Sequence, residues 1–188
     1  FPVKCEMIGP SEAIGAKVGH TYADRGPYLA RLEVSDGQLT TLSNPIAITA
    51  GSPPSATIAA PSDGALFRAG NVINFTGSGT DPDGTLTGAN FTWRILFLHN
   101  EHTHPAFGPL TGTSGNFAIP TSGHGFADAT GYRIVLIVAD NDGHSTIDSV
   151  DIVPDKVDVT FATNPSGLLV ALDGIARTAP FVHDSLIG

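Results

Sequence analysis

The chain is short of the features that usually announce chemistry. It has 188 residues and one cysteine, Cys5, so no intrachain disulfide can form; a solitary thiol of this kind is more often a packed side chain than a reagent. Charged residues make up only 14% of the chain, and the nine Lys and Arg are scattered along it. Without a basic cluster, nucleic acid and anionic membrane surfaces are poor partners. No apolar run approaches the ~18 residues of a membrane-spanning helix. Tryptophan occurs once, at Trp93, which counts against an aromatic platform for stacking sugars. There is no Gly-x-Ser-x-Gly elbow, P-loop, dinucleotide fingerprint or HExxH. The acidic pairs that occur are better explained as turn formers than as acid–base machinery. The chain does not open with Met and carries no secretory leader, so it is expected to be a processed or excised piece of something longer.

What is present points to β structure. Glycine (22) and proline (14) punctuate short runs of Val, Ile, Thr and Phe, with 41% hydrophobic residues overall, the profile of an all-β protein with many short strands. Two linkers divide the chain: "TAGSPPSA" (49–56), read as a Gly/Ser/Pro hinge, and "VPDK" (153–156). The expected segments are 1–50, 51–154 and 155–188. In the middle one, strands are expected near 55–60, 71–77, 91–98, 115–120, 132–139 and 145–153. In "FTWRILFL" the period of two places Phe91, Trp93, Ile95 and Phe97 on one face, with Trp93 in the core.

An internal repeat links the first two segments. "DRGPYLARLEVSDG" (24–37) and "DATGYRIVLIVADNDG" (128–143) each have Asp, Tyr four residues later, an alternating apolar run, and Asp eight residues after the Tyr. Tyr28, Leu32, Val34 and Asp36 match Tyr132, Leu136, Val138 and Asp140. Alternation puts Tyr28, Ala30, Leu32 and Val34 on a core face, and Leu29, Arg31, Glu33 and Ser35 toward solvent. A Tyr that enters a strand after a Gly-containing corner is the pattern of a tyrosine corner.

"HTYADRGPYLARLEVSDG" (20–37) resembles the second half of a PKD domain, although the Trp-Asp-Phe-Gly-Asp-Gly segment of that family is missing upstream. Segment 51–154 resembles the immunoglobulin-like modules that follow PKD repeats in secreted bacterial proteins, including ones similar to soluble quinone-dependent sugar dehydrogenases. The tail 159–181, with Asn164-Pro165-Ser166-Gly167 and Thr178-Ala179-Pro180-Phe181, resembles a PEGA-like β-repeat. These resemblances imply all-β, tandem immunoglobulin-like sandwiches, PKD-like and incomplete at both ends, in a secreted or cell-surface protein.

Sandwich topology sorts the polar clusters into two ends. At one end "GTDPDGT" (79–85) and "ADNDGHS" (139–145) bring Asp81, Asp83, Asp140 and Asp142 toward one another. Clustered hard oxygens suit Ca²⁺; the alternative is that DPDG and DNDG are turns whose Asp caps the backbone. At the other end "HNEHTHP" (99–105) holds His99, His102 and His104, with His124 on a neighbouring loop. Three or four imidazoles suit Zn²⁺, Cu²⁺ or Ni²⁺, with Glu101 as a ligand or second acceptor; the alternative is a polar loop. On the outward face of the strands around 91–98 and 132–139, Leu96, Leu98, Val135 and Ile137 form a candidate apolar interface, or a patch covered by the loop 99–114. The expected role is a non-catalytic spacer, adhesion or carbohydrate-associated accessory module. Its partners would be other domains of the same protein, neighbouring subunits or a polysaccharide. The rivals are a histidine metal-binding module and a subunit that assembles by strand or patch complementation.

Overall fold

A computed structural model describes residues 3–7, 12–14, 19–121, 126, 129–172 and 174–188. The chain forms two compact units, one of 1–55, 79–86 and 138–146, the other of 56–78, 87–137 and 147–188. The two acidic loops thus group with the N-terminal segment, and the tail groups with the middle one.

The first unit is built on one antiparallel sheet. Its strands are β1 (Val3–Met7), β2 (Glu12–Ile14), β3 (Gly26–Ser35), β4 (Thr40–Leu42) and β5 (Ile46–Ala50). They run in the order β2-β1-β3-β4, with β5 also paired to β3. Strand β3 begins and ends on defined bonds. The Tyr28 hydroxyl donates to the carbonyl of Asp24 at 2.8 Å, the geometry of a tyrosine corner, and Tyr28 packs on Tyr22 at 4.4 Å between ring centroids. Past the far end, Asp36 Oδ1 accepts the N–H groups of Gln38 and Leu39 at 2.9 and 2.7 Å. The expected core face of β3 is not closed. Leu32 and Val34 are 42% and 41% exposed, whereas Arg31, Glu33 and Ser35 on the other face are half-buried. The cause is architectural: among the described residues of this unit the five strands form a single sheet, and alternation buries a face only when a second layer lies on it.

Residues 52–55 of the linker are hydrogen-bonded within the first unit. Ser55 donates its N–H to the Thr80 carbonyl at 2.7 Å, and Thr80 returns its N–H to Ser55 Oγ at 2.7 Å. The N–H of Ser52 donates to Asp83 Oδ2, and the Thr146 hydroxyl donates to the Pro54 carbonyl. The Asp83 and Thr146 side chains and the Thr80 backbone therefore satisfy three linker backbone groups, Ser52 N–H, the Pro54 carbonyl and Ser55 N–H.

The second unit is a β-sandwich. Its strands are β6 (Thr57–Ala60), β7 (Leu66–Phe67), β8 (Val72–Ser78), β9 (Phe91–His99), β10 (His102–Thr111), β11 (Ser114–Ala118), β12 (Thr130–Ala139) and β13 (Ser145–Pro154). One sheet has the order β10-β9-β12-β13-β7, the other β11-β8-β6. All six expected strands are found at their expected places. Phe91, Trp93, Ile95 and Phe97 of β9 and Ile134 and Leu136 of β12 are buried, as the period of two requires. Aromatic pairs join the layers: Phe75 of β8 lies 4.7 Å from Trp93, and Phe117 of β11 lies 5.4 Å from Tyr132. Each such fully buried side chain contributes about 1.5–3 kcal/mol over its exposed state. Trp93 Nε1 donates to the Gly112 carbonyl at 2.8 Å, so its polar edge is satisfied. Gly77 of β8 is demanded by the packing, because a Cβ there would stand 2.6 Å from Leu136 Cδ2 and 3.0 Å from the Trp93 ring.

The tail adds two nested antiparallel pairs: β14 (Lys156–Phe161) with β17 (Phe181–Leu186), and inside them β15 (Leu169–Leu172) with β16 (Ile175–Thr178). Phe161 and Phe181 stack at 5.2 Å, and Lys156 Nζ lies 2.9 Å from Asp184 Oδ2. Backbone bonds from Asp155 to Phe67 and from Ala69 to Ile187 fasten this extension to the chain around β7.

The stretch 99–114, expected as a loop, is for the most part strand β10. It pairs with β9 through a two-residue turn, Asn100–Glu101, so that His102 stands opposite His99 and His104 opposite Phe97. Asn100 takes φ 52°, a left-handed conformation that Asn tolerates. Pro105 and Pro109 are accommodated because β10 is the edge strand, and the register shifts twice between Pro105 and Leu110.

Candidate metal centre

The hairpin decides where the histidines go. Residues directly opposite in an antiparallel pair share a face, as do i and i+2 on one strand. His99 opposes His102, and His104 follows two residues later, so all three imidazoles stand on the face that carries Phe97. Each offers one ligand nitrogen, and these atoms lie within 4.8 Å of one another. Ring centroids are 5.1 Å apart for His99–His102 and 4.8 Å for His102–His104, both edge-to-face. His99 is half-buried and stacks on Phe97 at 6.2 Å; His102 and His104 are exposed. Phe97 in turn meets Phe126 and Tyr132 at 5.8 and 5.2 Å, so the innermost imidazole rests on the aromatic core. Among the described residues this is the group of His, Cys, Asp or Glu side chains arranged to hold an ion. Glu101, in the turn, is exposed. His124 lies outside the described residues.

The acidic loops are arranged differently. Asp140 Oδ1 accepts three backbone N–H groups, from Asp142, Gly143 and His144, at 2.7–2.9 Å. Burial pushes this carboxyl up, but the three bonds and the nearby His144 imidazole outweigh it and hold it below the usual carboxylate range. Its other oxygen lies 3.3 Å from His144 Nδ1, near enough for charge attraction though not aligned as a hydrogen bond. Asp81 Oδ1 accepts the N–H of Asp83 at 2.9 Å, and Asp83 Oδ2 accepts Ser52. Arg25 Nη1 is 3.8 Å from Asp142 Oδ2, a positive charge where a calcium ion would have to compete. Asp81, Asp83 and Asp140 each accept backbone N–H groups of their turns or of the linker. His144 borders both Asp140 and Gly51; its place in DNDGH gives no signal of this.

Leu96 and Leu98 of β9 and Val135 and Ile137 of β12 share the outward face of neighbouring strands, as their parity predicts, but all four are half-buried. The more exposed apolar side chains of the chain include Ile46 at 66% and Leu39 at 76%, in the first unit. No helix among the described residues is long and apolar enough to cross a membrane.

The chain matches no family model and no curated protein. Among solved structures it is similar to the fibronectin(III)-like modules of Clostridium thermocellum CbhA. Identity is 19%, 81% of this chain and 76% of that one are covered, and the TM-score is 0.36.

Proposed function

We propose that the chain is a non-catalytic, immunoglobulin-like tandem module, PKD-like in its first unit and PEGA-like in its tail, that serves as a spacer or accessory unit of a larger secreted or cell-surface protein. The observation that carries this reading is the two-layered β-sandwich of the second unit, closed around Trp93, Phe75 and Tyr132, the architecture of an immunoglobulin-like module. Two further features support it. Two of the four candidate acidic residues, Asp81 and Asp140, accept backbone N–H groups of their own turns. The β3 sheet leaves Leu32, Val34 and Ile46 open on one face, which fits cover by another domain of the same protein or by a neighbouring subunit. Trp93 is fully buried, so stacking on sugars is a weaker reading of an accessory role than spacing.

The test is done on intact cells that make the full protein. Protease added outside should cleave the module from the cell surface, or the module should be recovered in the medium; finding it only inside the cell overturns the extracellular reading. Co-sedimentation of the 188-residue chain with insoluble polysaccharides should show no saturable retention; saturable retention would replace the spacer with a carbohydrate-binding role.

A further inference from the structure

We infer that the β9–β10 hairpin is a transition-metal site, with His99, His102 and His104 as ligands to a divalent ion of the zinc, copper or nickel class. The argument rests on register. A two-residue turn fixes His99 opposite His102, and alternation along β10 brings His104 to the same face, so the grouping is set by the backbone and not by a chance rotamer. Neutral imidazoles are the nitrogen donors these ions prefer. Zn–N distances of about 2.0–2.1 Å put tetrahedral ligand nitrogens roughly 3.3–3.4 Å apart. The three nitrogens, within 4.8 Å of one another, need to close by at most about 1.5 Å to reach that spacing. His102 and His104 are exposed on the edge strand and can do so by rotation about their side-chain bonds, while His99, stacked on Phe97, is the held ligand. Three protein nitrogens leave at least one coordination position for water or an outside donor. Because the ligands lie on both arms of the hairpin, the ion would cross-link β9 to β10 and be bound only when the hairpin is formed.

A purely aromatic account of the trio, three rings packed edge to face, makes a different prediction, and two kinds of variant separate the accounts. The full chain, without an affinity tag and stripped of metal, is titrated with Zn²⁺, Cu²⁺ and Ni²⁺ by calorimetry and by thermal unfolding. One ion per chain and a rise in Tm with metal concentration are expected for wild type. His102→Ala/His104→Ala should weaken binding at least tenfold and abolish the rise. His102→Phe/His104→Phe keeps the rings and removes the nitrogens, and should lose the metal response while unfolding near the metal-free wild-type temperature. His183→Ala, outside the cluster, should respond as wild type does. The inference is overturned if wild type shows no stoichiometric binding, or if either double variant binds as tightly as wild type. None of these outcomes depends on the spacer reading.

Discussion

Strands β3 and β12 are written in nearly the same words and live in different surroundings. Each has a Tyr as its third residue, alternates through Leu and Val, and is followed by an Asp whose carboxylate collects the N–H groups of the next turn. Strand β12 is central in a five-stranded sheet with a second layer over it, and Leu136 and Val138 are fully buried. Strand β3 is central in a single sheet, and the matching Leu32 and Val34 are about two-fifths exposed. Local sequence therefore sets where such a strand begins and stops, and the second layer sets what its apolar face is worth.

The comparison is sharpest at the matched leucines. Leu136→Ala should cost about 2–5 kcal/mol as a cavity in a closed core, and Leu32→Ala under about 1 kcal/mol, read from urea midpoints. Equal losses would mean that the β3 sheet is covered in solution, which dimerisation seen by sedimentation would explain. Next in size, Gly77→Ala should cost about 1–3 kcal/mol by pressing a methyl on Leu136 and Trp93, without lowering cooperativity. Tyr28→Phe should remove about 1 kcal/mol, the worth of one hydrogen bond; a change near zero would mean that the corner forms no bond in solution.

The smallest effect is in acid. Asp36 is held below the usual carboxylate range by the N–H groups of Leu39 and Gln38, and Asp140 is held low as described above. A depressed folded-state pKa contributes stability above the unfolded value of about 3.9 that is lost as pH falls through the folded value. Unfolding midpoints should therefore drop below about pH 4. Asp140→Asn and Asp36→Asn should each flatten that drop; an unchanged slope would remove the turn carboxylates from the account.

How much of this was legible follows from which residues carry the signal. The strands of the sandwich were readable because Phe91, Trp93, Ile95 and Phe97 repeat at the period of a pleated strand. The shared side of His102 and His104 is legible from their alternation; the place of His99 opposite His102 is not, because it depends on the hairpin. Strand β10 was hidden because Pro105, Gly108 and Pro109 are loop signals everywhere except on a sheet edge. The bonds of residues 52–55 are not legible from the linker's own Gly, Ser and Pro, because their partners, Thr80, Asp83 and Thr146, lie 25 or more residues away. The open face of β3 was invisible because alternation marks two faces and cannot say whether a layer exists to cover either.

The irregular run of β10 bears on how such modules survive being crowded together. A sheet edge is a row of donors and acceptors at a fixed repeat, and another chain's edge can dock on it. On β10 two prolines delete donors, and the two register shifts between Pro105 and Leu110 break the repeat, so an incoming strand meets no continuous template. The same residues that disguise β10 as a loop keep it from seeding aggregation, and replacing Pro105 and Pro109 with Val or Thr would expose that liability as concentration-dependent turbidity.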